Sequence, residues 1–124
     1  MASDKKIQRS HARKVLSASS LTSHSVKSKR GEDLGSVKEI MIDITSGRIA
    51  YAVLSFGRLL GIDNKLFAIP WEVLTVDEDR KCLVLDADKA SLEKAPGFDE
   101  DHWPDMADWR WGKSIYSYYG PSRS

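Results

Sequence analysis

The chain has 124 residues and a mass of 13.9 kDa, which allows one domain of ordinary size. Hydrophobic residues at 41% and charged residues at 30% are typical of a soluble globular protein and argue against disorder throughout the chain. The net charge is only +1, but residues 1–30 carry +7 and residues 31–124 carry −6.

The sequence contains no candidate membrane span or secretory signal. The longest apolar run, residues 49–54, is far shorter than the ~20 residues that cross a bilayer, and no apolar signal segment lies near the N-terminus. The one cysteine, Cys82, cannot form an internal disulfide, which fits a reducing compartment. We therefore expect a cytoplasmic protein.

Residues 1–12 are polar and without periodicity, and they predict a flexible basic leader ahead of a domain that spans residues 13–97. A basic arm on an acidic body suggests either a solvated leader or a nucleic-acid contact. In the second interpretation the phosphates are bound by Lys5, Lys6, Arg9, Arg13 and Lys14.

A β-hairpin is the clearest local prediction. Residues 34–45 alternate with a period of two, with three isoleucines on one face, and residues 48–55 form the partner strand. Gly47 between them suits a hairpin loop. Twelve extended residues would span ~40 Å, more than the diameter of so small a domain, so the first strand must coil or bulge. Strong coiling favours a barrel.

Further short strands are predicted at residues 65–69 and 82–87, and a short helix at residues 88–95 with Asp88 as its N-cap. The resulting expectation is an all-β fold. Its expected core consists of Ile40, Ile42, Ile44, Ile49, Val53, Leu66, Ile69, Leu83 and Leu85.

Residues 98–124 form an aromatic-rich C-terminal extension, in which residues 98–120 hold seven of the eleven aromatic side chains. Pro104 and Gly112 predict an irregular segment with at most short helical turns, packed as an outer layer on the barrel or on a second subunit. Because aromatic side chains are favoured interface anchors, the candidate partner-binding residues are Trp103, Trp109, Trp111, Tyr116, Tyr118 and Tyr119.

No motif predicts catalysis, a cofactor or a metal site. Gly57 and Gly61 lack the lysine of a phosphate loop and are interpreted as a hairpin or bulge pair. The three histidines have no ligand at metal-binding spacing, and Cys82, within an apolar strand, is expected to be an inert buried thiol. We therefore predict that the protein is not an enzyme.

Several short motifs, in this order, resemble the PRC-barrel family, which includes a domain of the photosynthetic reaction-centre H subunit and the C-terminal domain of RimM. The resemblance covers residues 12–120 and rests on Leu34-Gly35, Tyr51-Ala52-Val53, Phe56-Gly57, Pro70-Trp71 and Ala95-Pro96-Gly97-Phe98. It implies a small six-stranded β-barrel of a stand-alone bacterial member, with no shared catalytic residue.

The combined expectation is a non-enzymatic protein-interaction or scaffold module that forms a homodimer. The alternative is a nucleic-acid- or ribosome-associated protein that uses the basic arm. A ligand-binding barrel is disfavoured, because six strands leave room for little more than their own side chains.

Overall fold

The structure, a computed structural model, describes residues 15–61 and 64–119. Within these residues the chain forms seven strands, which are β1 (Ser25–Lys27), β2 (Asp33–Asp43), β3 (Arg48–Ser55), β4 (Lys65–Pro70), β5 (Leu74–Asp77), β6 (Cys82–Leu85) and β7 (Phe98–Asp99). The helices are α1 (Ala18–Leu21), α2 (Gly57–Leu60), α3 (Lys89–Glu93) and α4 (Trp109–Tyr119), and a 3₁₀ turn covers Trp71–Val73.

The seven strands form an open sheet in the order β5-β6-β1-β2-β3-β4-β7. Neighbouring strands are antiparallel, apart from the parallel pair β1 and β6. The prediction of a barrel is therefore wrong, because the sheet is open, and the predicted count of six strands is not confirmed. The long β2 strand has two register shifts against β3, in agreement with the prediction that so long a strand must coil or bulge. Among the described residues, no ladder joins β5 to β7.

The β3 and β4 strands are buried on both faces of the sheet. On one face Ala52, Leu54, Phe67 and Ile69 join the larger core cluster, to which β1, β2, β6, α1 and α3 also contribute. On the other face Tyr51 and Ala68 pack in a second cluster with Ile115 of α4. The period of two along each strand therefore divides its side chains between two cores.

The predicted hairpin and the predicted helix cap are confirmed. Gly47 has a φ of +78° and donates its N–H to the Asp43 carbonyl at 2.7 Å, which closes the loop between β2 and β3. The Asp88 carboxylate accepts the Ser91 N–H at 2.9 Å, and the Ser91 hydroxyl bonds back to the backbone of Asp88 in a capping box. Gly57 is instead the first residue of the single turn of α2, and Gly61 is its C-cap.

The prediction of an irregular extension is wrong for residues 109–119, which form α4. The Asp108 carboxylate accepts the Arg110 N–H at 2.9 Å and so caps the first turn. Glycine within a helix lowers its stability by about 1 kcal/mol. At position 112, however, glycine leaves room for the Tyr51 hydroxyl, because a Cβ atom there would lie only 3.0 Å from that oxygen. Burial of Ile115, which is 2% exposed, compensates for that cost.

Candidate interaction groove

An open groove of about 600 Å³ lies between the tip of the β2–β3 hairpin, the segment before α4, and α4 itself. We call it the hairpin groove. Its lining is mostly apolar and consists of Met41, Ile42, Asp43, Ile44, Thr45, Ala50, Tyr51, Met106, Ala107 and Tyr116. Residues distant in sequence thus form one continuous surface.

Two isoleucines that the sequence assigned to the core lie at the rim of this groove. Ile42 is 52% exposed and Ile44 is 92% exposed. The register shift between Met41 and Ile42 interrupts the alternation of β2, and Ile44 lies in the loop, where Asp43 accepts the Thr45 N–H at 2.9 Å. The core assignment is therefore wrong for these two residues, although Val53, Leu66, Ile69, Leu83 and Leu85 are buried as expected.

Aromatic side chains form the floor of the groove. The Tyr51 ring packs edge-on against Trp111 at 5.1 Å between centroids and lies 6.1 Å from Tyr116. The Tyr116 hydroxyl donates to Glu72 Oε1 at 3.1 Å. Burial, followed by the nearby Glu72 carboxylate, raises the pKa of Tyr116 to about 12. The floor is therefore neutral at physiological pH and is fixed by packing from β3 and α4.

The segment before α4 forms the opposite wall and carries many carboxylates. Residues 98–108 contain five Asp or Glu and no Lys or Arg. Within this segment Trp103 packs on Phe98 at 5.1 Å and donates its indole N–H to the Glu100 carbonyl at 2.8 Å. The Asp105 carboxylate accepts the Ala107 N–H at 3.0 Å, which holds Met106 and Ala107 in a turn beside the hairpin.

The six predicted partner-binding residues divide into inward-facing and outward-facing groups. Trp111 and Tyr119 pack on the domain as part of the second cluster, and the buried Tyr119 hydroxyl has no hydrogen-bond partner among the described residues. Tyr116 and Tyr118 are partly exposed, and each donates a hydrogen bond to the domain, Tyr118 to the Ser91 carbonyl.

The two remaining tryptophans are the outward-facing ones. Trp103 is 41% exposed and Trp109 is 67% exposed, and the guanidinium of Arg110 lies 5.3 Å from the Trp109 ring. Of the six predicted residues only Tyr116 lines the hairpin groove. Met106, Ala107 and the exposure of the hairpin isoleucines were not predicted from the sequence, because no local pattern places residue 106 beside residue 41.

The five cations of the proposed phosphate contact, residues 5, 6, 9, 13 and 14, lie outside the described residues. A separate polar pocket of about 450 Å³ lies on the surface around Lys29, Arg30, Asp86 and Ser91. In this pocket the Lys29 ammonium pairs with the Asp86 carboxylate at 3.5 Å. Within residues 15–61 and 64–119, no helix is both long and apolar enough to cross a membrane.

The fold and groove define a small β-sheet domain with an apolar surface recess beside a docked C-terminal helix. The family model of the PRC-barrel domain matches residues 13–92. The chain belongs to the PRC-barrel family, as the sequence motifs predicted. No curated protein matches the chain.

Proposed function

We propose that this PRC-barrel protein is a non-enzymatic protein-interaction module that binds its partner through the hairpin groove. The observation that carries the proposal is the exposure of Ile42 and Ile44, at 52% and 92%, directly beside the floor of Tyr51 and Tyr116. A contiguous apolar recess rimmed by polar groups is typical of a protein interaction site.

The composition of the groove suits an adaptable interface. Burial of one isoleucine side chain contributes about 1.5–3 kcal/mol, so the two hairpin isoleucines could supply several kcal/mol to binding. Met41 and Met106 line the same recess, and flexible methionine side chains can repack around different partner shapes. The Tyr51 ring, which also lines the recess, packs on Trp111 and forms a rigid platform.

The non-enzymatic part of the proposal rests on the chemistry of the described residues. Cys82, the one thiol, is fully buried within β6 and inaccessible as a nucleophile. No group of three His, Cys, Asp or Glu side chains converges on a metal position within the described ranges. Among the residues that line the hairpin groove, Asp43 is the one carboxylate, and its oxygen is used in the turn, so no second lining carboxylate stands beside it to complete an acid–base pair.

The test is a capture experiment with matched variants. Tagged wild-type protein, Ile44→Asp and Ser46→Asp are incubated with lysate of the source cells, and retained proteins are compared by quantitative mass spectrometry. Both substitutions place a carboxylate in the same exposed loop, but only residue 44 lines the groove. We expect a partner retained by wild type and Ser46→Asp and lost with Ile44→Asp. Equal retention by all three proteins would reject the groove as the binding surface.

We further propose that the module self-associates as a homodimer through the outward-facing tryptophans of the extension. Trp109, 67% exposed beside the Arg110 guanidinium, has the Trp and Arg composition of interface hot spots. Sedimentation velocity from about 1 µM to about 1 mM covers the range of weak interfaces. We expect a concentration-dependent dimer that Trp109→Ala weakens and Ser117→Ala does not. A monomer at every concentration would exclude the homodimer.

A further inference from the structure

The hairpin groove combines an apolar floor with a rim of carboxylates. Asp43 lines the groove, Asp105 and Asp108 flank the Met106–Ala107 wall, and Glu72 accepts the hydroxyl of Tyr116. Two arginines offset part of this charge: Arg48 is the cross-strand neighbour of Asp43, and Arg110 lies 3.9 Å from Asp108. Four carboxylates against two arginines leave the recess with a net negative potential.

The N-terminal segment of the same chain has the complementary composition. Residues 1–14 carry five Lys or Arg against one Asp, a net charge of +4. Its one branched aliphatic side chain, Ile7, is flanked by Lys5, Lys6 and Arg9. One branched aliphatic side chain flanked by cations matches an apolar recess flanked by carboxylates.

The point at which the described chain begins places this segment within reach of the groove. Val15, 81% exposed, lines an apolar pocket together with Ile49. Ile49 is in turn the cross-strand partner of Ile42, which lines the groove. Ile49 packs against the larger core cluster, so the segment must pass around the sheet to reach the groove floor, which belongs to the second cluster on the opposite face. Ile7 precedes Val15 by eight residues, a span of up to about 26–29 Å when extended, whereas the thickness of a sheet layer is only about 10 Å.

We propose that residues 1–14 occupy the hairpin groove of their own chain, with Ile7 between the hairpin isoleucines and its flanking cations at the acidic rim. One isoleucine and a few exposed ion pairs make a weak ligand, of about millimolar affinity. A short tether supplies an effective concentration of about the same size, so the segment docks within one chain and not between dilute copies. The inference rests on the proposed function, because the docked segment competes with the partner for the groove.

Paramagnetic relaxation enhancement tests the docking directly in the full chain. A spin label on Ser3→Cys is specific, because Cys82 is fully buried. The readout is the broadening of the isoleucine methyl signals, with buried Ile69 as the internal control. At about 20 mM salt, where the screening length exceeds 10 Å, we expect selective broadening of Ile42 and Ile44 that fades at about 0.5 M salt.

A matched variant and a mixed sample assign the cause. The triple substitution Lys5→Glu, Lys6→Glu and Arg9→Glu reverses the charge of the segment and should abolish the broadening. A mixture of labelled chains and separate methyl-enriched chains should give none, since the docking is within one chain. Broadening of Ile42 and Ile44 no stronger than that of Ile69 at low salt, or broadening in the mixed sample alone, would overturn the proposal.

The capture experiment separates this inference from the proposed function. Deletion of residues 2–14 is expected to increase retention of the partner a few-fold at low salt, because the competitor is removed. If the relaxation effect is missing while capture still depends on Ile44, the groove binds a partner but not its own N-terminal segment. If the segment docks and no retained protein depends on Ile44, the inference stands and the proposed function fails.

Discussion

Substitution of Ile115 by alanine tests whether the C-terminal helix is an integral part of the domain. Ile115 is 2% exposed and packs with Tyr51 and Ala68 in the second core cluster. Truncation of a buried isoleucine to alanine costs about 2–5 kcal/mol. The α4 helix has only 11 residues, fewer than the ~12–15 at which an isolated helix becomes even marginally stable, so its helicity depends on this contact.

We expect Ile115→Ala to lower the free energy of unfolding by about 3 kcal/mol, which corresponds to a fall in melting temperature of about 10 °C for a domain of this size. Urea unfolding is followed by far-UV circular dichroism and by tryptophan fluorescence, since Trp111 reports its contact with Tyr51. Ser117→Ala, at an exposed position of the same helix, is the control and should change stability by less than about 0.5 kcal/mol.

A decrease of less than about 1 kcal/mol in the free energy of unfolding of Ile115→Ala would refute this reasoning, because truncation of a well-packed buried isoleucine has a larger effect. It would mean that α4 is not held against Tyr51 in solution. The floor of the hairpin groove would then lack its support from the helix.

Three further predictions follow from single positions. Gly35→Ala should lower the free energy of unfolding by more than about 3 kcal/mol, because the new Cβ would lie 2.0 Å from the Ser55 carbonyl oxygen. Gly47→Ala, in open space at a φ of +78°, should lower it by only about 1–2 kcal/mol. Similar losses for the two variants in urea unfolding would contradict the steric argument. The stability of the wild-type protein should fall between pH 10 and 12 more steeply than that of Tyr116→Phe. The reason is that the pKa of a tyrosine is 10.0 in the unfolded chain, whereas the pKa of Tyr116 in the fold is about 12. Parallel declines of the two urea midpoints would contradict the raised pKa of Tyr116. Cys82 should react with a thiol reagent only at the rate of unfolding, and rapid reaction of the native protein would show that β6 is accessible.

Local signals in the sequence predicted the parts of the fold that depend on local chemistry. The Gly47 loop and the Asp88 cap each involve residues within four positions of one another, so the pattern and the structure coincide. The family resemblance was confirmed by the match over residues 13–92. The alternating side chains, by contrast, predicted a longer regular β2 strand than the structure has. A register shift depends on the pairing with the neighbouring strand, and the sequence of one strand alone does not reveal it.

The C-terminal helix and the groove depend on tertiary contacts that no short window contains. Gly112 lowers the helix propensity of its segment, yet the same glycine fits the helix against Tyr51 of β3. Met106 lines the same groove as Met41, although the two residues are 65 positions apart in the sequence. Aromatic composition correctly drew attention to the extension, but it could not distinguish Trp111, which packs inward, from Trp109, which is exposed.

The parallel pairing of β1 with β6 has a consequence for the order of folding. Ser25 lies opposite Cys82, so the ladder closes a loop of 57 residues, at an entropic cost of about 3–4 kcal/mol in the logarithmic approximation. The β2–β3 hairpin closes over a few residues and can form first. At a synthesis rate of about 5–20 residues per second, the outer edge of β1 remains unpaired for several seconds before β6 has been synthesised. In that interval the edge that carries Val26, fully buried in the finished fold, is open to pairing with other chains, so slow completion of β6 would expose the nascent protein to aggregation.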